Sequence, residues 1–373
     1  MSLARASTPA LAGLAVLSLV LYGYSERSVR PVHAEAYMKK LSAMRLMQRA
    51  EHAIAEAKRE RGIAIDPRND PEGFGVIGPQ FTLITTDRGA QLAKSLAAHP
   101  NFAAAVTHMM LRARVRPGDL VAVGMTGSLP GLNLAVLAAC QAIGADAVTI
   151  TSVGASMFGA TDPELTWLDM ETLLVDRHLW TFRSHAASLG GGGDVGRGLS
   201  PAGRDLLRQA IDRNGIRFLV PSSLMEGVKQ RVAIYDSIAA ARAKPIRLYI
   251  NVGGGLASLG GTQNGRLIPP GLSRRLRSRN YPNRGVINVL GERGIPVIHL
   301  LQVERLAREL GISQDGATMV KPGTGLLFIH FRYNLWLVVG SALVLFLANL
   351  VVLRRDLRQR LLGQPHPERV PTP

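Results

Sequence analysis

Cysteine is all but missing. The single thiol, Cys140, excludes a disulfide within the chain and any cysteine metal cluster, and its place on an apolar helical stretch suits a buried, inert side chain. Aromatic residues are scarce at 5%, and no zinc-finger or RNA-binding signature occurs, so nucleic acid is not an expected partner. Lysine is rare too: seven of the 44 basic residues, which leaves arginine to carry most of a formal net charge of +17. No G-x-S-x-G elbow, H-E-x-x-H zinc site or Walker lysine loop is present, so those standard catalytic signatures do not apply. Acidic residues are absent over residues 237–291. A solvated face mixes charge signs, so this run points to an acidic polymer or an anionic lipid surface, with a plain basic surface as the alternative.

What is present is ample apolar material. The 373 residues are 47% hydrophobic, enough for one large domain or two modest ones. Residues 9–24, PALAGLAVLSLVLYGY, are sixteen apolar positions that span roughly 24 Å as helix. They read as an uncleaved anchor; a secretory signal cut after Val32-His33-Ala34 is the alternative. Residues 335–353 hold nineteen positions without a charge, with Tyr333 and Trp336 as an interfacial belt and Arg354, Arg355, Arg358 and Arg360 directly behind. The positive-inside rule then puts the tail in the cytoplasm and residues 25–333 outside, at the inner membrane of a cell.

The expected organisation is an anchor over 1–24, an amphipathic helix and linker over 25–78, an α/β domain over 79–333, a transmembrane helix over 334–353 and a basic tail over 354–373. Residues 31–61 place Tyr37, Leu41, Met44, Met47, Ala50 and Ile54 on one helical stripe, which suits packing on its own domain or on a second copy or partner helix. Residues 66–78, rich in Pro, Gly and Asp, read as the linker.

The stretch 118–160 is the clearest unit. Residues 120–123 form a short apolar strand ending near Gly124; Thr126, Gly127 and Ser128 make a turn; Pro130 opens a helix that lasts to Gly144; residues 147–153 are the returning strand. Strands are also expected at 81–85, 218–220, 246–252 and 295–300, and helices at 89–98, 101–114, 204–213 and 303–310. This alternation predicts an α/β fold: a mainly parallel sheet with helices on both faces, Rossmann-like and similar in outline to sugar isomerase domains, plus a transmembrane helix at each end.

Candidate sites follow from that order. The turns after parallel strands share one sheet edge, so Thr126, Gly127, Ser128, Ser152, Ser156 and the run Gly253, Gly254, Gly255 either surround an anion there or merely cap their elements. Asp169 and Glu171 are an acid/base pair or the solvated first turn of a helix, and Asp162 with Asp169 would be the place for a divalent cation; no other cofactor or metal is expected. His185 and His299 are proton-transfer candidates or structural histidines. Arg197 and Arg204 follow a four-glycine run, and Arg274, Arg275, Arg277 and Arg279 crowd the acid-free stretch; all six are candidate polyanion contacts.

The strings GDLVAVGMTGSLPGLNLAVLAA, TSVGASMFGATDPELTWLDME, SLGGGGDVGRGLSPAGRDLL, YINVGGGLASLG and GIPVIHLLQVERLA, with an apolar segment near each end, resemble the poly-gamma-glutamate system protein family over most of residues 30–320. The resemblance implies a membrane-anchored accessory protein working beside the synthesis and export subunits of a capsular polymer, poly-gamma-glutamate, with one carboxylate per residue. It carries over no catalytic residues. Two readings remain: a protein that binds the polyanion without turning it over, and a hydrolase or transferase acting on the polymer or its precursor.

Overall fold

The computed structural model describes residues 8–277, 279–315 and 318–362. The basic tail beyond residue 362 and the seven residues before the anchor lie outside them. The chain divides into two compact units, Met1–His33 with Ile329–Pro373, and Ala34–Phe328.

Helix α1 (Thr8–Arg27) and strand β1 (Arg30–His33) open the chain. The larger unit then runs α2 (Tyr37–Glu60), β2 (Thr85–Asp87), α3 (Gln91–Ala97), α4 (Asn101–Arg112), β3 (Leu120–Thr126), α5 (Pro130–Ile143), β4 (Asp146–Ser152), β5 (Ala155–Ser156) and α6 (Trp167–Asp176). It continues with β6 (Ser184–Ser188), α7 (Pro201–Arg213), α8 (Leu224–Ala241), β7 (Ile246–Val252), α9 (Leu256–Leu259), α10 (Asn264–Leu267), β8 (Gly271–Ser273), α11 (Val286–Glu292), β9 (Val297–Leu300) and α12 (Val303–Glu309). Strand β10 (Ile329–Arg332) and α13 (Leu335–Leu362) complete the smaller unit.

In the smaller unit β1 pairs antiparallel with β10, Arg30 opposite Arg332. Helix α1 packs against α13, and the Tyr333 hydroxyl donates to Glu26 at 2.8 Å. Thr8–Arg27 and Leu335–Arg355 are both long and apolar enough to cross a membrane, and neither is buried by the rest of the protein.

The larger unit is built on a six-stranded sheet in the order β6-β4-β3-β7-β9-β8, parallel except for the edge strand β8. All seven residues of β3 are buried, as expected of a strand covered on both faces. Leu120, Ala122, Val148, Ile150 and Tyr249 enter one core with Val228, Val232 and Tyr235 of α8 and Ile287 and Leu290 of α11. Val121 and Val123, on the alternate face, are equally buried, and α5 packs on β3 and β4. Burial of each such side chain contributes about 1.5–3 kcal/mol before conformational entropy is charged.

Strand β3 runs two residues past Gly124, where the sequence suggested an end. Gly124 is no terminator: a Cβ there would lie 2.5 Å from both the Tyr249 hydroxyl and Ser258 Oγ, so the strand needs glycine for a close approach rather than a turn. Helix α5 begins at Pro130 and stops at Gly144 in the left-handed region (φ +81°), as its punctuation indicated.

The amphipathic helix expected over 31–61 is α2, and its stripe packs on its own unit. Met44, Met47, Ala50 and Ile54 of the predicted stripe are buried, and α2 packs against α4, α5 and α6. The Asp70 carboxylate accepts the backbone N–H groups of Phe74 and Gly75 at 2.9 and 2.7 Å, which folds residues 66–78 onto the body with Val76 and Ile77 buried. The strand expected over 81–85 appears as β2 over 85–87, and that at 218–220 is reduced to one bridge between Phe218 and Ala187. The first and last residues of this unit meet, with Ala34 N–H donating to the Phe328 carbonyl at 2.9 Å.

Candidate functional site

From β3 the chain proceeds outward through β4 to β6, then returns to the other side of β3 as β7. The strand order therefore reverses between β3 and β7, and ligands of open α/β sheets bind outside the carboxyl ends at such a reversal. A cleft of about 650 Å³ lies there. Its walls include Thr126, Ser128, Ser152, Ser156, Gly254, Gly255 and Arg197 of the expected set, together with Arg88 and Lys94.

The glycines let these turns close on one another. A Cβ on Gly127 would sit 2.2 Å from the Val153 carbonyl, and one on Gly253, held at φ +76°, would sit 2.8 Å from Thr126 Oγ1. Gly127 and Gly253 thus shape the cleft without lining it, unlike Gly254 and Gly255. Thr126 Oγ1 accepts the Ser128 N–H, and Asn133 Nδ2 donates to the Thr126 carbonyl at 2.9 Å, which fixes the turn to the start of α5.

Lys94 is the residue that sequence reading missed. It is 6% exposed, and its Nζ donates to the Ser128 carbonyl and lies 2.7 Å from Ser156 Oγ. Burial pulls its pKa down to about 7. The Ser156 N–H in turn donates to Ser128 Oγ at 3.0 Å. A lone lysine on a short helix, 34 residues before Ser128, gives no sequence signal; only its isolation among arginines hints at a special role.

Below the glycine run sits a second polar group. Asp194 and Arg231, each with a side chain 1% exposed, form an ion pair at 2.9 Å. Ser152 and Ser188 donate their hydroxyls to Asp194 Oδ1 at 2.7 and 2.8 Å and accept from Arg231 Nη2 at 3.0 and 2.9 Å. The Ser152 hydroxyl is thereby committed to this network rather than free for an anion. Asp194 itself adopts φ +65°, and Gly190, Gly191, Gly193, Gly196 and Gly198 share the left-handed region.

The acid/base candidates lie elsewhere. Asp169 Oδ2 accepts the backbone N–H and the hydroxyl of Thr166, both at 2.7 Å, closing the first turn of α6. The same carboxylate binds Arg213 at 2.6 Å and Asn214 Nδ2 at 2.7 Å. Glu171, 1% exposed, accepts from Trp167 Nε1 at 2.9 Å and the Ser184 N–H at 3.0 Å, and burial raises its pKa to about 7 against those hydrogen bonds. Neither carboxylate lines the cleft; Asp169 borders a separate cavity with Asp176, Arg177 and Asn214. Asp162 caps its own turn, accepting from the Glu164 N–H at 2.9 Å, and no group of three or more His, Cys, Asp or Glu among the described residues is placed to hold a metal ion.

His299 is fully buried on β9, where Asn251 Nδ2 donates to its Nδ1 at 2.9 Å. Burial lowers its pKa to about 4, so it is neutral at pH 7. Asn251 also donates to the Gly253 carbonyl at 2.8 Å, so His299 supports the glycine turn from beneath and does not reach the cleft. His185 is half-buried on β6 and likewise does not reach it.

The arginine set divides. Arg197 is exposed at the cleft wall. Arg204, Arg274 and Arg279 donate to the carbonyls of Leu199, Arg112 and Leu267, tying down loops. Arg275 and Arg277 are exposed and meet no carboxylate among the described residues. None of these five lines the cleft. No protein-family model, curated protein or solved structure matches the chain.

Proposed function

We propose that this protein is a membrane-anchored accessory component of poly-gamma-glutamate synthesis or export, whose larger unit holds a segment of the polymer by its carboxylates. The observation that carries the reading is the convergence of Arg88 and Arg197 with the Ser128 and Ser156 hydroxyls and open glycine backbone in one cleft at the strand-order reversal, which Asp87, Asp194 and Glu304 also line. Charge-assisted hydrogen bonds from Arg to carboxylate strengthen as water is excluded, and a chain that repeats its carboxylates binds multivalently. The apolar helices Thr8–Arg27 and Leu335–Arg355 suit the membrane anchoring, and the reading puts the larger unit on the outer side, beside the synthesis and export subunits. The family resemblance supplies the polymer's identity.

Retention of poly-gamma-glutamate by the full-length protein in detergent micelles tests this. Retention at low salt should exceed that of a neutral polymer of equal length and should fall with ionic strength and in Arg88→Ala/Arg197→Ala. Equal retention of the two polymers overturns the reading.

A further inference from the structure

We propose that Ser156 and Lys94 form a nucleophile and general base, and that the cleft performs acyl transfer on an amide of the acidic chain it holds. The substrate class rests on the function proposed above; the chemistry rests on the pair itself.

Four observations carry it. Lys94 Nζ lies 2.7 Å from Ser156 Oγ, the distance from which a base takes a hydroxyl proton. No carboxylate among the described residues pairs with Lys94, so no ion pair offsets its burial. A neutral amine can still donate one N–H to the Ser128 carbonyl and has a lone pair to accept the Ser156 proton.

Ser156 is held rigidly yet left accessible. Its N–H donates to Ser128 Oγ, and Asp87 of β2 is its partner in the short parallel β2–β5 pair. It is partly exposed, and both it and Lys94 line the cleft. Gly89 leaves the pair uncovered: a Cβ there would lie 3.2 Å from both Lys94 Cε and Ser156 Oγ. A lysine serving only to tie Ser128 in place would need neither the second hydroxyl nor an open face above it.

The reaction balances without an added reagent. Ser156 Oγ bonds to the amide carbonyl carbon as its proton passes to Lys94 Nζ. The C–N bond then breaks, and Lys94 returns that proton to the leaving amine nitrogen, leaving an ester on Ser156. Water, or the amine of another chain, attacks the ester; its proton passes through Lys94 to Ser156 Oγ as the C–O bond breaks. The products are an acid and an amine with water, and a new amide with a second chain.

The test treats the full-length protein in detergent micelles with an alkyl fluorophosphonate and locates the adduct by peptide mass spectrometry. One label per chain is expected on Ser156. It should be absent in Ser156→Ala, and its rate should fall about 10²- to 10⁴-fold in both Lys94→Met and Lys94→Arg. In the wild type the labelling rate should climb with pH through about 7 and level off above it. No adduct, an adduct confined to another residue, or an undiminished rate in Lys94→Arg overturns the pair, and the wild-type measurement stands whether or not a variant folds. Polymer retention by Ser156→Ala is read separately. Labelling without retention keeps the pair and removes the polymer; retention without labelling removes the pair and keeps the polymer.

Discussion

The two ends of the central sheet treat charge in opposite ways. At the amino ends, Lys244 and Arg242 lie 3.0 and 3.9 Å from Asp146 at the start of β4, and Arg247 lies 4.0 Å from Asp119 just before β3. All these side chains are 30% or more exposed, so the pairs are screened and worth little. At the carboxyl ends an ion pair is buried outright, Asp194 with Arg231, while Lys94 is desolvated with no counter-charge. The acid-free run 237–291 that dominates the sequence thus spends several of its cations on neutralising the amino edge. The cations that face the cleft come from elsewhere in the chain. Charge density in a sequence locates surface; desolvated charge locates chemistry.

Breaking the buried pair should have the largest effect. Arg231→Met strips Asp194 of its buried counter-charge beneath the glycine run, at a cost of about 3–5 kcal/mol in denaturant unfolding, with loss of polymer retention. An effect as small as that of an exposed pair would erase the contrast between the two ends. Lys94 sharpens it through pH. Below pH 7 the lysine is protonated folded and unfolded, and the burial penalty is felt in full. Between about 7 and 10.5 the unfolded chain keeps a proton that the folded one has lost, so stability from this group rises with pH. Subtracting the pH profile of Lys94→Met from that of the wild type should isolate a rise of a few kcal/mol over that window; a flat difference would mean Lys94 is not desolvated in solution.

Gly127→Ala should come next, at about 1–3 kcal/mol, because its methyl must part the turns after β3 and β4. Thermal melting and polymer retention should fall together. Lys244→Ala at the amino edge should move stability by less than about 1 kcal/mol and leave retention unchanged. A larger loss of retention there would return the acid-free run to the binding surface.

The strand-turn-helix-strand from β3 to β4 was legible because each boundary carries its own local signal: Pro130 at a helix start, Gly144 at its end, and an unbroken apolar strand. The sheet edge that carries the cleft followed from topology alone. Helix α8 was not read, although Leu224, Val228, Val232, Tyr235 and Ile238 keep a helical stripe; Gly227 and Arg231 interrupt it with residues that look wrong for a core. Arg231 belongs there only because Asp194, 37 positions earlier, is carried to it by the glycine run. Asp169 and Glu171 show the converse: the partners they hold around α6 could not be read from the sequence. Carboxylates at a helix start satisfy backbone donors as readily as they move protons, and only the third dimension tells which partners they have met.

The hydrogen bond between Ala34 and Phe328 has a mechanical consequence. Because the larger unit is entered at Ala34 and left at Phe328, a pull along the flanking chain would load that hydrogen bond together with the neighbouring one from Lys40 Nζ to the Leu327 carbonyl.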